Sequence, residues 1–161
     1  MSKNESVDRV RGPEMAVATS LGKSADALVI GLIKADDGTD TEPTLVIGDG
    51  ILDDAQAEAI ATAVRRLGAN GSHGEVTRFP APDGVPVEVM VAVGLGDADD
   101  VDDAERLRQA AGVVVRELDG LDNVATTLST VKLQPVAEGL FLGAYRFDTF
   151  RSDKTQPRKT P

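Results

Sequence analysis

Two glycine turns, one acidic run and a single histidine are the places where this chain could do chemistry. Gly94-Leu95-Gly96-Asp97 follows a strongly apolar stretch and precedes a helical pattern. Such a turn can bring backbone N–H groups against a phosphate at a helix N-terminus. However, it has two glycines only, and the full dinucleotide fingerprint is missing. Five aspartates and one glutamate between Asp97 and Glu105 would also repel a phosphate, so a plain strand-to-helix turn is the better reading. Gly48-Asp49-Gly50 sits in a similar place and is weighed in the same way. The acidic run itself invites a calcium reading. A calcium loop needs oxygens at alternating positions and glycine at the sixth. Counted from Asp97, the fifth position is Val101 and the sixth is Asp102, so the pattern fails and a well-capped helix start remains.

His73 lies in the glycine-rich stretch ANGSHGE and is the sole histidine. No spacing sets a nucleophile beside it for a triad, and a turn residue is the simpler reading. With one histidine and no cysteine, neither a structural nor a catalytic zinc site of the usual kind can be built. Gly139 and Gly143 lie four apart, on one face of a helical stretch. They either pack that helix closely on the domain's own sheet or form a docking surface for a neighbour. Catalytic, cofactor-binding and metal-ligating residues are therefore all expected to be absent from this chain.

The composition bounds the rest. A chain of 161 residues suits one domain. Aromatic residues make up 3% with no Trp, so the core must be Val, Leu, Ile and Ala. The net charge of −10 opposes nucleic-acid binding, which needs clustered Lys and Arg, and gives no attraction to anionic membranes. No apolar run approaches the length a bilayer needs, and the polar start MSKNESVDRVRGPEM has no signal-peptide middle. The lack of cysteine fits the cytoplasm.

The elements that must position these residues follow from periodicity. Residues 1–13 end in Gly12-Pro13 and read as a flexible leader. Strands are expected at 14–20, 27–34, 44–48, 74–81, 85–96 and 123–130. ALVIGLIK (27–34) is a near-continuous apolar run, as in a strand buried on both faces. Asp53 or Asp54 can cap a first helix, and Gln56 sits three residues after Asp53 as in a capping box; Ala57, Ile60, Ala61, Val64 and Leu67 fall on one face, with Gly68 as the stop. Asp102 with Glu105 opens a second helix, whose buried face is Leu107, Ala110, Ala111, Val114 and Leu118. Pro135 suits the first turn of a last helix. From Arg151 the chain carries four basic residues, one acid and two prolines, and reads as a linker over 151–161. Strands alternating with helices give an α/β domain, residues 14–150, with a mixed or mostly parallel sheet flanked by helices.

Three segments share a resemblance. AEGLFLGAYRFDTFRSDK (137–154) resembles the end of the N-terminal domain of the leucyl aminopeptidase, or cytosol aminopeptidase, family. VMVAVGLGDADDVDDAERLRQAAG (89–112) is similar to that family's strand, "GLG" turn and "R.AAG" helix, and TLVIGDGILDD falls where the family has a short strand and turn. Phe150 stands where the family usually has Tyr. The resemblance spans roughly residues 14–154 and implies a macrodomain-like fold. It also implies a parent enzyme that removes N-terminal residues, Leu preferred, from peptides by metal-activated hydroxide attack. Two divalent ions, zinc or manganese, are implied in a separate C-terminal catalytic domain, and a homohexamer in which this domain lies toward the outside. The family's "NTDAEGR" metal signature does not occur in this chain. Ala137-Glu138-Gly139 is no substitute, because Gln134-Pro135-Val136 precedes it and Leu140-Phe141 follows. The expected role is assembly or regulation. Two other roles stay open: an ADP-ribose or nucleotide module, resting on the two glycine turns, and DNA binding through the basic tail, which the net charge opposes.

Overall fold

A computed structural model describes residues 13–36 and 42–151, with side chains up to residue 145. Five strands form one mixed sheet: β1 Ala27–Ile33, β2 Thr44–Val46, β3 Val76–Pro80, β4 Val89–Gly96 and β5 Val124–Thr126. Three α-helices flank it: α1 Asp54–Leu67, α2 Ala104–Val114 and α3 Leu133–Arg151. The sheet order is β2-β1-β4-β3. β4 runs parallel along one whole edge of β1. The other edge of β1 is shared: β5 pairs in parallel with Ala27–Val29, and β2 pairs antiparallel with Gly31–Ile33.

The central strands explain the layering. Alternate side chains of a strand point to opposite faces, and both faces here are apolar. Leu28, Ile30, Leu32, Met90 and Ala92 meet Ile60 and Val64 of α1 and Phe79 of β3 on one side. Val29, Val91, Val93 and Leu95 meet Leu107, Ala110, Ala111 and Val114 of α2, with Leu128 and Val136, on the other. The sheet is thus sandwiched between α1 on one face and α2 with α3 on the other. Each buried Leu or Ile contributes roughly 1.5–3 kcal/mol through removal of apolar surface from water. The continuous apolar run at 27–34 is the direct cause of this two-sided burial.

The start of α1 matches its sequence signature. Asp53 Oδ1 accepts from the Gln56 backbone N–H at 2.7 Å, and Gln56 Oε1 accepts from the Asp53 N–H at 2.9 Å. Gln56 also donates to the Gly84 carbonyl at 2.6 Å, which ties the helix start to the 81–88 turn. Gly68 ends the helix with φ of 71°, the left-handed geometry that glycine adopts without strain.

Several expected bounds change. Residues 14–20 form no strand. Val17 is exposed, and no backbone ladder bond ties the segment to a neighbour. Alternation can mark a strand, but only a paired edge makes one. The expected strand at 85–96 begins at Val89, because Val85 closes a turn on the Pro82 carbonyl. The strand at 44–48 ends at Val46. That at 123–130 stops at Thr126, where residues 128–130 coil into a single 3₁₀ turn. The cap of α2 is Asp103 rather than Asp102: its side chain accepts from the Arg106 N–H at 2.9 Å. Pro135 does sit in the first turn of α3. Of the expected flanks, leader residues 1–12 and linker residues 152–161 lie outside the described residues, and Arg151 ends α3.

Asp53→Ala removes the acceptor half of the capping box while leaving the core untouched. The expected cost is about 1 kcal/mol, read in a thermal melt as a drop of about 2–4 °C. An unchanged melting point would show that the cap carries no stability.

Candidate functional site

The Gly94–Gly96 turn is closed by the protein itself. Residues 69–75 fold over it as a small loop built on Glu75, whose Oε2 accepts from the N–H groups of Asn70 at 3.0 Å and Gly71 at 2.9 Å. Asn70 Oδ1 in turn accepts from the Ser72 N–H and hydroxyl at 2.8 and 2.6 Å. The loop then spends its backbone on the turn. Gly94 N–H donates to Glu75 O at 2.8 Å, Gly74 N–H to Gly94 O at 3.0 Å, and Gly96 N–H to Gly71 O at 3.0 Å. Gly96 O accepts from Lys34 N–H at 2.8 Å. The N–H groups that would have cradled a phosphate are therefore satisfied internally. Gly94 is glycine for the same reason: a Cβ there would lie 1.8 Å from the Ser72 carbonyl oxygen. The turn is a packing contact between two backbones.

The other sequence candidates also take structural roles. Gly48 and Gly50 have φ of 81° and 74° and make the turn after β2. A Cβ on Gly48 would press on the Thr130 side chain at 2.7 Å. His73 Nε2 lies 3.2 Å from the Arg106 carbonyl oxygen, so the imidazole pins the 69–75 loop to α2. In the acidic run, Asp103 caps α2 and Asp100 lies 3.3 Å from the Arg106 guanidinium. Among the described residues, no group of three or more His, Asp or Glu side chains is placed to hold a metal ion.

Gly139 and Gly143 face α2, not the sheet. A Cβ at position 139 would lie 2.2 Å from the Arg108 carbonyl oxygen and 2.8 Å from the Ala111 Cβ. A Cβ at 143 would lie 2.8 Å from the Gly112 carbonyl oxygen. Their shared face is thus spent on a close helix–helix crossing inside the domain. Beside it, Arg108 donates through Nε and Nη2 to Glu138 Oε2 at 2.9 and 2.7 Å and also pairs with Glu105. Gln134 donates to Glu138 Oε1 at 3.0 Å. The Gln134 amide, then Arg108, hold the Glu138 carboxyl below the ordinary glutamate range, and Glu138 and Glu105 raise Arg108.

The structural roles of three groups gave no sequence signal. Asp26 accepts from Asp122 N–H at 3.0 Å and Asn123 N–H at 2.8 Å, while its carbonyl takes the N–H groups of Glu88 and Val89. It thereby gathers the starts of β1, β4 and β5. Thr127, a buried polar residue, donates its hydroxyl to the Val46 carbonyl at 2.7 Å and bridges β2 to the end of β5. Arg108 is the third, through the network just described. Two clefts, of about 570 and 380 Å³, lie between residues 13–21, β5 and α3. Among the described residues no Lys, Arg or His lines either one, and Glu14, Asp119 and Asp122 line the first. That lining disfavours a phosphorylated ligand.

These contacts belong to an α/β domain in which Gly94, Gly139 and Gly143 serve close packing and Asp53 and Asp103 serve helix capping. Residues 21–154 match the cytosol aminopeptidase family, N-terminal domain, and the chain belongs to that family. A probable cytosol aminopeptidase of Rhodococcus jostii (strain RHA1) is 46% identical over 149 residues, which cover 92% of this chain and 28% of that relative. The probable cytosol aminopeptidase of Nocardia farcinica (strain IFM 10152) is 43% identical, with 94% and 30% covered. Among solved structures, the bottromycin maturation enzyme BotP superposes with a TM-score of 0.52 at 26% identity, covering 80% of this chain and 25% of that one. A second structure of that enzyme, in complex with Mn, gives 0.50. The chain spans less than a third of the length of these curated relatives. No helix among the described residues is long and apolar enough to cross a membrane.

Two outcomes follow from the geometry. Gly94→Ala has no room and should cost about 3 kcal/mol or more, seen as loss of the folded baseline in a urea titration. A normal midpoint would mean that the 69–75 loop does not sit on the turn. A carboxyl whose pKa is lowered on folding stabilises above its unfolded pKa, and that stability is lost as pH falls through the folded value. The melting point of wild type should therefore exceed that of Glu138→Gln at neutral pH, and the gap should close as pH drops below the ordinary glutamate range. A gap independent of pH would remove the ionised Glu138 from the α2–α3 contact.

Proposed function

We propose that this chain is the non-catalytic N-terminal domain of a dinuclear-metal leucyl aminopeptidase, and that it supports the assembly or regulation of the catalytic domain. The observation that carries the reading is one of extent. The match to the family's N-terminal domain runs through residues 21–154, yet the alignment with the Rhodococcus relative covers only 28% of that protein. The chemistry would then reside in the part of the relatives that this sequence does not span.

The local geometry supports the division of labour. Asp53 and Asp103 cap helices, and Asp100 and Glu138 pair with arginines; among the described residues, no group of three or more acidic or histidine side chains is placed to hold an ion. Two divalent ions, zinc or manganese, belong on this reading to the catalytic domain, in keeping with the Mn complex of BotP. The parent activity would be removal of N-terminal residues, Leu preferred, from peptides. The partners would be that catalytic domain and sister subunits of a homohexamer in the cytoplasm. A mixed sheet between helix layers agrees with the macrodomain-like architecture that the resemblance implies. The nucleotide-binding alternative gains nothing from the Gly94–Gly96 turn, whose Gly94 and Gly96 backbone groups already bond to the loop at 69–75.

The test compares two proteins. The chain alone, given leucine p-nitroanilide with Mn²⁺ or Zn²⁺, should show no turnover above buffer. The same chain joined to the remaining, C-terminal part of the Rhodococcus jostii relative should give an active, higher-order assembly by light scattering. Turnover by the chain alone would overturn the proposal.

A further inference from the structure

We infer that the outward face of α3, centred on Phe141 and Tyr145 with Leu142 beside them, is the surface on which this domain seats against the catalytic domain. The inference rests on the proposed function and adds the place of contact.

The chain has five aromatic residues, and four of them, Phe141, Tyr145, Phe147 and Phe150, lie within ten residues of one another. The described core uses a single aromatic, Phe79. Aromatic side chains carry large apolar surface and are enriched at interfaces. Phe141 and Tyr145 lie outside the described core, so their place on this helix is not a demand of that core.

The glycine crossing then fixes which way the helix faces. Gly139 and Gly143 touch α2 backbone, and Val136 is buried in the core next to them. At about 100° per residue, Phe141 and Tyr145 fall together, one turn apart, on the opposite side. Their exposures are 47% and 63%, and that of Leu142 is 53%. Rotating them inward would drive a larger side chain against the Arg108 carbonyl, so the face cannot be hidden by turning the helix. Gln134 and Glu138 continue the same stripe toward the helix start, where Glu138 is held by Arg108. An apolar patch with a charged and amide border is the usual anatomy of a recognition surface.

The occupant follows from the comparisons. α3 runs to Arg151 and the family match stops at 154, whereas most of the relatives' length is not spanned by this chain. On the proposed reading that remaining length follows α3 directly. A short tether gives its near end a high effective concentration at this face, more than at any surface on the α1 side of the sheet.

Tyr145 is the one tyrosine in the chain, so it reports on the face directly. The experiment is nitration by tetranitromethane, mapped by peptide mass, in the chain alone and in the active fusion to the C-terminal part of the Rhodococcus jostii relative. Tyr145 should react at least ten-fold more slowly in the fusion. The double substitution Phe141→Ser, Leu142→Ser in the fusion should restore its reactivity while leaving the melting point of the chain alone unchanged. Equal reactivity in the chain and in an active fusion would overturn the docking face and leave the N-terminal-domain reading standing. A fusion that folds but neither assembles nor turns over substrate would overturn that reading itself.

Discussion

The carbonyl oxygen of Arg108 stands where a side chain at position 139 would have to go. That single steric fact sets the approach of α3 to α2, since any residue larger than glycine pushes the two backbones apart. Gly112 and Gly143 extend the contact along the same line. Packing of this kind draws its strength from many close van der Waals contacts. It also has a directional consequence, because once one face of α3 is committed to α2, the opposite face is committed to the outside. The Arg108–Glu138 pair, half exposed, fixes the register of the crossing more than it adds to its stability.

The same logic recurs at the sheet. Gly94 admits the Ser72 carbonyl as Gly139 admits that of Arg108. In both places glycine permits backbone to meet backbone, and in both the sequence alone also allows a binding turn. Phosphate-binding loops and packing loops use the same residue, because both require the absence of a Cβ. What separates them is whether the freed N–H groups point at empty space or at another segment of chain. Here residues 69–75 take them.

That distinction explains how much was legible beforehand. The central strands were plain from the unbroken apolar runs, and α1 from its capping box and glycine stop, because these are local signals. The α2 cap slipped by one residue because Asp102 and Asp103 are chemically equivalent and only backbone geometry selects between them. Residues 14–20 look like a short strand in sequence, yet form none, since pairing depends on a distant edge. Asp26 and Thr127 were invisible for a related reason: the partners of their side chains lie 81 to 98 residues away in sequence. The family resemblance was readable from the order of three modest motifs, and the lack of a metal signature was readable at once. The side of α3 that the glycines would occupy was not, because four-residue spacing defines a face without naming its neighbour.

On the proposed function, this chain brings architecture and not chemistry to a separate catalytic domain. Metal binding tests that most directly, since an aminopeptidase of the proposed kind needs its ions before anything else. Titrating the chain with Mn²⁺ in a calorimeter should give only heats of dilution, at protein concentrations of tens of micromolar. Stoichiometric uptake of one or two ions would contradict the claim and place catalytic machinery within these residues.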